Sequence, residues 1–249
     1  MVSGGAMDKV TVASLQQMKR EGRKIVGIVL YDFPTAQIAD RAGVDLVSVG
    51  DSVGANLWGQ STETEVTAEE LLLACKAVRR GTRRALVSCD VPQGAGAAGV
   101  EGATAAAVRL AKEGGADMVK VLGTPELVRA IVQAGVPVFA EFHGEHGNVE
   151  QLVREARRLE EAGAAMLDFR HSGPVAGAAV VKAVSVPVIG GLGGGPWLDG
   201  RVRLAHTAIG YGAKWLESKA DTYVNTAKLS LEAFKALADD VRSGRQIKG

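Results

Sequence analysis

Aromatic residues make up only 4% of this 249-residue chain, and there are just two cysteines, Cys75 and Cys89. Two cysteines do not make a disulfide framework. Their spacing is not that of a metal site, so both read as packing residues of a protein kept in a reducing, cytoplasmic compartment. Charge of one sign is also missing. The formal net charge is +1, with no basic block and no acidic tail. Nucleic-acid binding is therefore disfavoured, because counterion release needs clustered Lys and Arg. No apolar run is long enough to cross a bilayer. Residues 1–7 (MVSGGAM) lack the hydrophobic segment of a signal peptide and read as a vector-derived leader ahead of a single domain over residues 8–249.

What the chain does have is aliphatic. Hydrophobic residues account for 47% of it, so with few aromatics the core must rest on Val, Leu, Ile and Ala. Short apolar runs lie at residues 24–30 (KIVGIVL), 46–50 (LVSVG), 85–90 (ALVSCD), 118–121 (MVKV), 136–142 (VPVFAEF), 164–169 (AAMLDF) and 186–190 (VPVIG), with a weaker eighth inside 202–209. Near-continuous apolar runs mark strands buried on both faces, as in parallel sheets. Between them lie amphipathic helical stretches, clearest at residues 151–161, where Leu152, Val153, Ala156 and Leu159 form one stripe. A helix-ending glycine followed at once by a strand recurs at Gly43, Gly115 and Gly163. Glycine takes the left-handed conformation that stops a helix, so this is the turn of a repeated βα unit. Seven or eight such units predict a (β/α)8 barrel, whose typical length is about 250 residues. An open doubly wound sheet is the alternative, though no GxGxxG follows the first strand. The glycine run at 190–195 (GGLGGG) is either an anion-binding loop after the seventh strand or a tight turn needing positive φ.

Barrel chemistry occurs at the C-terminal ends of the strands. Five consecutive strands place ionisable groups there: Asp51, Asp90, Lys120, Glu141 with His143, and Asp168 with Arg170 and His171. Such groups beside apolar runs are costly unless paired or bound to metal. Asp51 and Asp90 are the candidate metal pair, since a divalent cation resolves the repulsion of two converging carboxylates and oxygen ligation favours Mg²⁺ or Mn²⁺. The competing role for them is N-capping of the helices that follow. Lys120, mid-strand, would neutralise a substrate carboxylate or an enolate, with a Schiff-base role as the other option. His143 and His146 read as loop residues.

These residues carry a resemblance. Tyr31-Asp32, the run from Val49 to Gly54 through Gly50-Asp51-Ser52, residues 67–81 ending in Arg79-Arg80-Gly81, and Cys89-Asp90-Val91-Pro92 are similar to the ketopantoate hydroxymethyltransferase family. So are Ala116-Asp117-Met118-Val119-Lys120, Val186-Pro187-Val188-Ile189-Gly190 and Leu198-Asp199-Gly200. The family belongs to the phosphoenolpyruvate mutase and isocitrate lyase superfamily.

The resemblance implies transfer of a one-carbon unit, from methylenetetrahydrofolate or formaldehyde, to the α-carbon of a small keto acid. Asp51 and Asp90 would hold the metal, Ser52 and Lys120 the substrate carboxylate, and the protein would form a homo-oligomer. A metal on the keto oxygen acidifies the neighbouring C–H, so an enolate can form; run backwards, the same site cleaves a C–C bond. Three departures accompany the likeness. The family's glutamate two residues after the strand-four lysine is Leu122 here, and Glu141 with Asp168 would partly replace it. The covering segment after strand five is short. The family's catalytic glutamate at the end of strand six falls on Arg170 or, with a one-residue shift, on His171. A histidine can exchange protons near neutral pH, whereas Arg170 suits a second anionic group of the substrate. Hydroxymethyl transfer in the synthetic direction is the expected activity, with retro-aldol cleavage, or ligand binding without turnover, as the alternatives.

Overall fold

The computed structural model describes residues 8–191 and 193–247. Residues 1–7, read above as a leader, and Leu192 of the glycine run lie outside the described residues. Eight parallel strands close into a barrel in the order β1-β2-β3-β4-β5-β6-β7-β8. They are β1 Ile25–Val29, β2 Leu46–Val49, β3 Leu86–Asp90, β4 Met118–Leu122, β5 Val138–His143, β6 Met166–Arg170, β7 Val188–Gly190 and β8 Gly200–Leu204. Helix α1 (Val12–Arg20) precedes the barrel. Helices α2 (Phe33–Arg41), α3 (Ala68–Gly81), α4 (Gly99–Lys112), α5 (Pro125–Gln133), α6 (Val149–Glu161) and α7 (Pro174–Ala183) separate the strands. The chain forms two compact units that part between Arg203 and Leu204, and the second holds α8 (Ala205–Ile209) and α9 (Thr226–Arg242).

The sequence pattern explains this arrangement strand by strand. One residue from each strand (Ile25, Leu46, Leu86, Met118, Phe139, Met166, Ile189 and Val202) joins a buried cluster with Val10, Leu15 and Met18, so α1 plugs the N-terminal mouth. Strand side chains alternate with period two. Two residues further along the same inward rows stand Ser48, Ser88, Lys120, Glu141 and Asp168, all buried. The interior is thus apolar at the bottom and ionic toward the top. The opposite faces carry Val47, Val87, Val119, Ala140 and Leu167, each fully buried. They lie under helices that bury Leu71 and Val78 of α3, Ala107 and Leu110 of α4, Ile131 of α5 and Leu159 of α6. Both faces being covered is why the runs read as continuously apolar.

The three repeated glycines have φ of +82° at Gly43, +77° at Gly115 and +101° at Gly163, and Gly135 adds a fourth such turn at +83°. Two expectations need correction. The eighth strand begins at Gly200, ahead of the predicted window, and the window's second half is α8. The misplacement arises because Gly200 and Arg201 carry no apolar signal. His143 is not a loop residue but the last residue of β5, paired in register with Arg170.

Closure of the barrel explains one glycine. A Cβ on Gly200 would collide with the Ile25 carbonyl, where β8 meets β1. Gly200→Ala is expected to lower stability by at least ~2 kcal/mol, through displaced backbone. Equilibrium urea unfolding checks this; an unchanged midpoint would mean the seam is looser than described.

Candidate active site

The top of the barrel gathers Asp51, Glu63, Asp90, Val91, Gln93, Lys120, Val121, Leu122, Glu141 and Arg170 around one pocket. Asp90 and Arg170 end β3 and β6, Lys120 and Glu141 lie within β4 and β5, and Asp51 follows β2. Asp51 and Glu63 ride on the connection from β2 to α3, which contains a π-helical turn at Gly54–Trp58 and a 3-10 turn at Glu63–Glu65.

Lys120 organises the charges. Its Nζ lies 2.6 Å from Glu141 Oε2, 3.3 Å from Asp168 Oδ2 and 3.7 Å from Asp90 Oδ2. Burial alone would drive its proton off, but Asp90, Asp168 and Glu141 outweigh that and raise its pKa. A lysine so held keeps its charge and is not a free amine able to attack a carbonyl. Arg170 follows the same inward row as Asp168, with Nη2 2.8 Å from Glu141 Oε2 and Nε 3.4 Å from Asp168 Oδ2. Glu141 also bonds His143 Nε2 at 2.9 Å. Burial pushes its carboxyl up, yet Lys120 and Arg170 prevail and hold it below its usual range.

Asp90 behaves differently. Burial pushes its carboxyl up to about 7, the charge of Asp51 adds to the rise, and Lys120 opposes it. Its Oδ1 is buried with no hydrogen-bond partner among the described residues. Neither aspartate serves as a helix cap for α3, whose N-cap is Thr67. A divalent cation fits this set: an orphaned carboxylate oxygen, a second carboxylate on the same pocket, and oxygen donors only. Three or more His, Cys, Asp or Glu grouped to hold a metal are not found among the described residues. Two protein carboxylates would therefore be the complement, the remainder coming from water and substrate.

Ser52 stands close by. Its Oγ lies 2.7 Å from the Tyr31 hydroxyl. A Cβ added to Gly50 would meet Ser52 Oγ at 3.1 Å and Asp90 Oδ2 at 3.4 Å, so glycine there leaves space open beside both. Leu122 is 68% exposed and forms part of the pocket lip.

At the end of strand six, Arg170 lines this pocket and His171 is not among its lining residues. His171 lies beyond the strand at φ +51°, a conformation costly for a residue with a side chain, and its Nδ1 is 3.4 Å from Glu145. Its ring centroid is 6.3 Å from that of His143. Gly193 packs against it, since a Cβ there would lie 2.9 Å from His171 Cα. Gly193 has φ +69° and Gly194 N–H donates to the Gly191 carbonyl, the geometry of a tight turn. The cysteines are both buried, Cys89 facing Cys75 of α3, and burial with that neighbour raises the Cys89 thiol far out of the reactive range.

Glu63 and Gln93 escaped the sequence reading. Neither sits at a strand end, and Glu63 lies in a run, Ser61-Thr62-Glu63-Thr64-Glu65, that reads as helix capping. The only clue was the length of the connection after β2.

Asp90 has a consequence for stability. A carboxyl whose folded pKa is raised contributes stability below its unfolded value near 4 that disappears as pH rises through about 7. The metal-free Asp90→Asn protein should therefore melt above the unsubstituted protein at pH 8, by about 5 °C, with the gap closing toward pH 5. Differential scanning calorimetry in chelator checks it; equal melting at pH 8 would show that Asp90 carries no strain.

The profile of the ketopantoate hydroxymethyltransferase family matches residues 9–246. A 3-methyl-2-oxobutanoate hydroxymethyltransferase of Moorella thermoacetica is 34% identical, with 95% of each chain covered. Among solved structures, a putative phosphonomutase from Burkholderia cenocepacia J2315 superposes with a TM-score of 0.64 at 17% identity, covering 94% of this chain and 98% of that one. A phosphonopyruvate hydrolase in complex with oxalate and Mg²⁺ gives 0.60 at 16% identity, covering 95% and 88%. The structural likenesses speak for the barrel, and the sequence matches go further: this chain belongs to the ketopantoate hydroxymethyltransferase family of transferases.

Proposed function

We propose that the protein transfers a hydroxymethyl group to the α-carbon of a small α-keto acid, through an enolate, with a divalent cation held by Asp51 and Asp90. One observation carries the reading: Asp51, Asp90 and Lys120 converge on a single pocket at the C-terminal end of the barrel. Its charge balance supports a cation. Among the described residues, Asp51, Glu63, Asp90, Glu141 and the underlying Asp168 meet two permanent cations at this pocket, Lys120 and Arg170. Once Asp90 is ionised, above about pH 7, five carboxylates against two cations repel an anionic keto acid, and a divalent ion cuts that excess from three charges to one. Mg²⁺ or Mn²⁺ bound there would supply Lewis acidity to the keto acid's oxygens. The Mg²⁺ in the phosphonopyruvate hydrolase complex makes the same choice of metal chemically reasonable.

The chain's own groups do the rest. Lys120 presents an ammonium whose charge is fixed in place, suited to a substrate carboxylate or to negative charge that grows during reaction. Ser52 adds a hydroxyl beside Asp90. Glu141 and Asp168 hold Lys120 and Arg170 in position, so neither cation must be ordered when substrate arrives. Arg170 narrows the pocket and offers a second anion contact. Val91, Val121 and Leu122 give the alkyl end of a branched keto acid an apolar wall. His171, the other acid/base candidate on strand six, stands outside the pocket lining with Glu145. The one-carbon donor is methylenetetrahydrofolate or formaldehyde.

We further read the protein as a homo-oligomer of the cytoplasm. No helix among the described residues is long and apolar enough to cross a membrane. Helix α9 buries none of its residues and exposes Leu229, Phe234, Leu237 and Val241, an apolar face suited to a second copy. Sedimentation should show a species larger than one chain, dissociated by Phe234→Asp; a monomer would refute this.

The chemical test is incubation with 3-methyl-2-oxobutanoate, formaldehyde and Mg²⁺, followed by mass spectrometry. A hydroxymethyl adduct is expected, and Lys120→Met should lower its rate by ~10²-fold or more. Aldehyde release from a longer keto acid, with no adduct, would instead establish cleavage.

A further inference from the structure

The pocket holds one carboxylate that the preceding assignments leave unemployed. Glu63 lines it from the β2–α3 connection. The other acids are engaged: Glu141 with Lys120, Arg170 and His143, Asp168 with Lys120 and Arg170, and Asp90 with Lys120. The Glu63 side chain makes no hydrogen bond or ion pair with any described residue. Its backbone is nonetheless well placed. Thr62 N–H donates to Glu65 Oε1 at 2.8 Å, Val66 N–H donates to the Glu63 carbonyl at 3.3 Å, and Val66 is buried. Gly54 faces this turn so closely that a Cβ on it would lie 2.6 Å from Val66 Cγ2.

A proton acceptor must be free, near the substrate and not already stabilised as an anion. Arg170 and Lys120 hold their protons. Glu141 is a weak base because two cations satisfy it. Asp51 and Asp90 are reserved for the cation, and His171 is turned to Glu145. We propose that Glu63 is the group that takes the α-proton of the keto acid. The proposal rests on the transferase reading above. The Glu63 carboxylate accepts the proton, the C–H electron pair becomes the enolate C=C bond, and the carbonyl π pair moves onto its oxygen. The enolate carbon then bonds to formaldehyde, the keto group re-forms, and the aldehyde oxygen takes the proton back from Glu63 to leave a hydroxymethyl group. Partial enclosure, with the charge of Asp51 added, raises the Glu63 carboxyl above its ordinary value and makes it a better base than Glu141. The charged groups acting on it are Asp51, Arg170, Lys120 and Glu141, from the ends of four strands.

Exchange of the α-hydrogen of 3-methyl-2-oxobutanoate with D₂O, followed by NMR in Mg²⁺, separates this step from the one-carbon donor. Glu63→Gln should slow exchange by ~10²- to 10⁴-fold and remove the rise of rate with pH that marks a carboxylate base. Glu63→Asp should retain part of the rate. Mn²⁺ affinity by paramagnetic resonance should stay within about twofold in both. Three results overturn the proposal: exchange by Glu63→Gln at the unsubstituted rate, loss of exchange in His171→Gln instead, or a parallel loss of Mn²⁺ affinity, which would make Glu63 a ligand. Unsubstituted protein that neither exchanges the hydrogen nor forms an adduct would defeat the transferase reading itself. Adduct formation alongside an indifferent Glu63→Gln would defeat the proton role alone.

Discussion

Lys120 is a buried ammonium, and the arrangement of the site depends on satisfying it. A lone charge at that depth would be expelled or neutralised. Here three carboxylates, from β5, β6 and β3, surround it at 2.6, 3.3 and 3.7 Å. Removing Glu141 or Asp168, its two nearest partners, is costly, because it leaves an uncompensated charge in a poorly solvated place, whereas the more distant Asp90 is itself strained by burial. Satisfying Lys120 leaves the rim of the pocket in surplus negative charge, and that surplus gives a divalent cation a reason to bind.

Barrel geometry makes this arrangement possible. Inward rows repeat every second residue, so one sequence position decides whether a side chain joins the apolar plug or the ionic layer above it. Met118 and Lys120 are neighbours in one row, as are Phe139 and Glu141, and Met166 and Asp168. The ionic layer sits on strands, not loops, and strands hold side chains with the precision an electrostatic site needs. The β2–α3 connection adds the adaptable part, carrying Asp51, Ser52 and Glu63.

Much of the fold was legible because two independent signals coincided. Apolar runs marked strands, and glycine after three of the helices, at Gly43, Gly115 and Gly163, marked the turn into the next strand. Gly200 and Arg201 show the limit, since β8 is set by backbone pairing with little apolar content. The candidate site was legible where ionisable residues sit in or at the end of apolar strands: Asp90, Lys120, Glu141 and Arg170 all follow from the rule that barrel chemistry gathers toward the C-terminal ends. The orientation at strand six was not, because one backbone angle at His171 decides whether that side chain faces the pocket, and a sequence does not reveal a positive φ outside glycine. Glu63 was also hidden. It is brought into the pocket by a fold-back over Gly54, a tertiary event with no local periodicity.

Family membership gives the reaction class, while the site decides how this chain would carry it out. Arg170 at the end of β6 makes the pocket poorer in bases and richer in fixed charge, and acid/base work must then come from elsewhere on the rim. The cation is the piece that reconciles the charges. Calorimetric titration of Mg²⁺ into the metal-free protein is the most direct measurement of it. The account predicts one site per chain, with proton release near pH 7, and no detectable binding in Asp51→Asn or Asp90→Asn. Undiminished binding in either variant would contradict it.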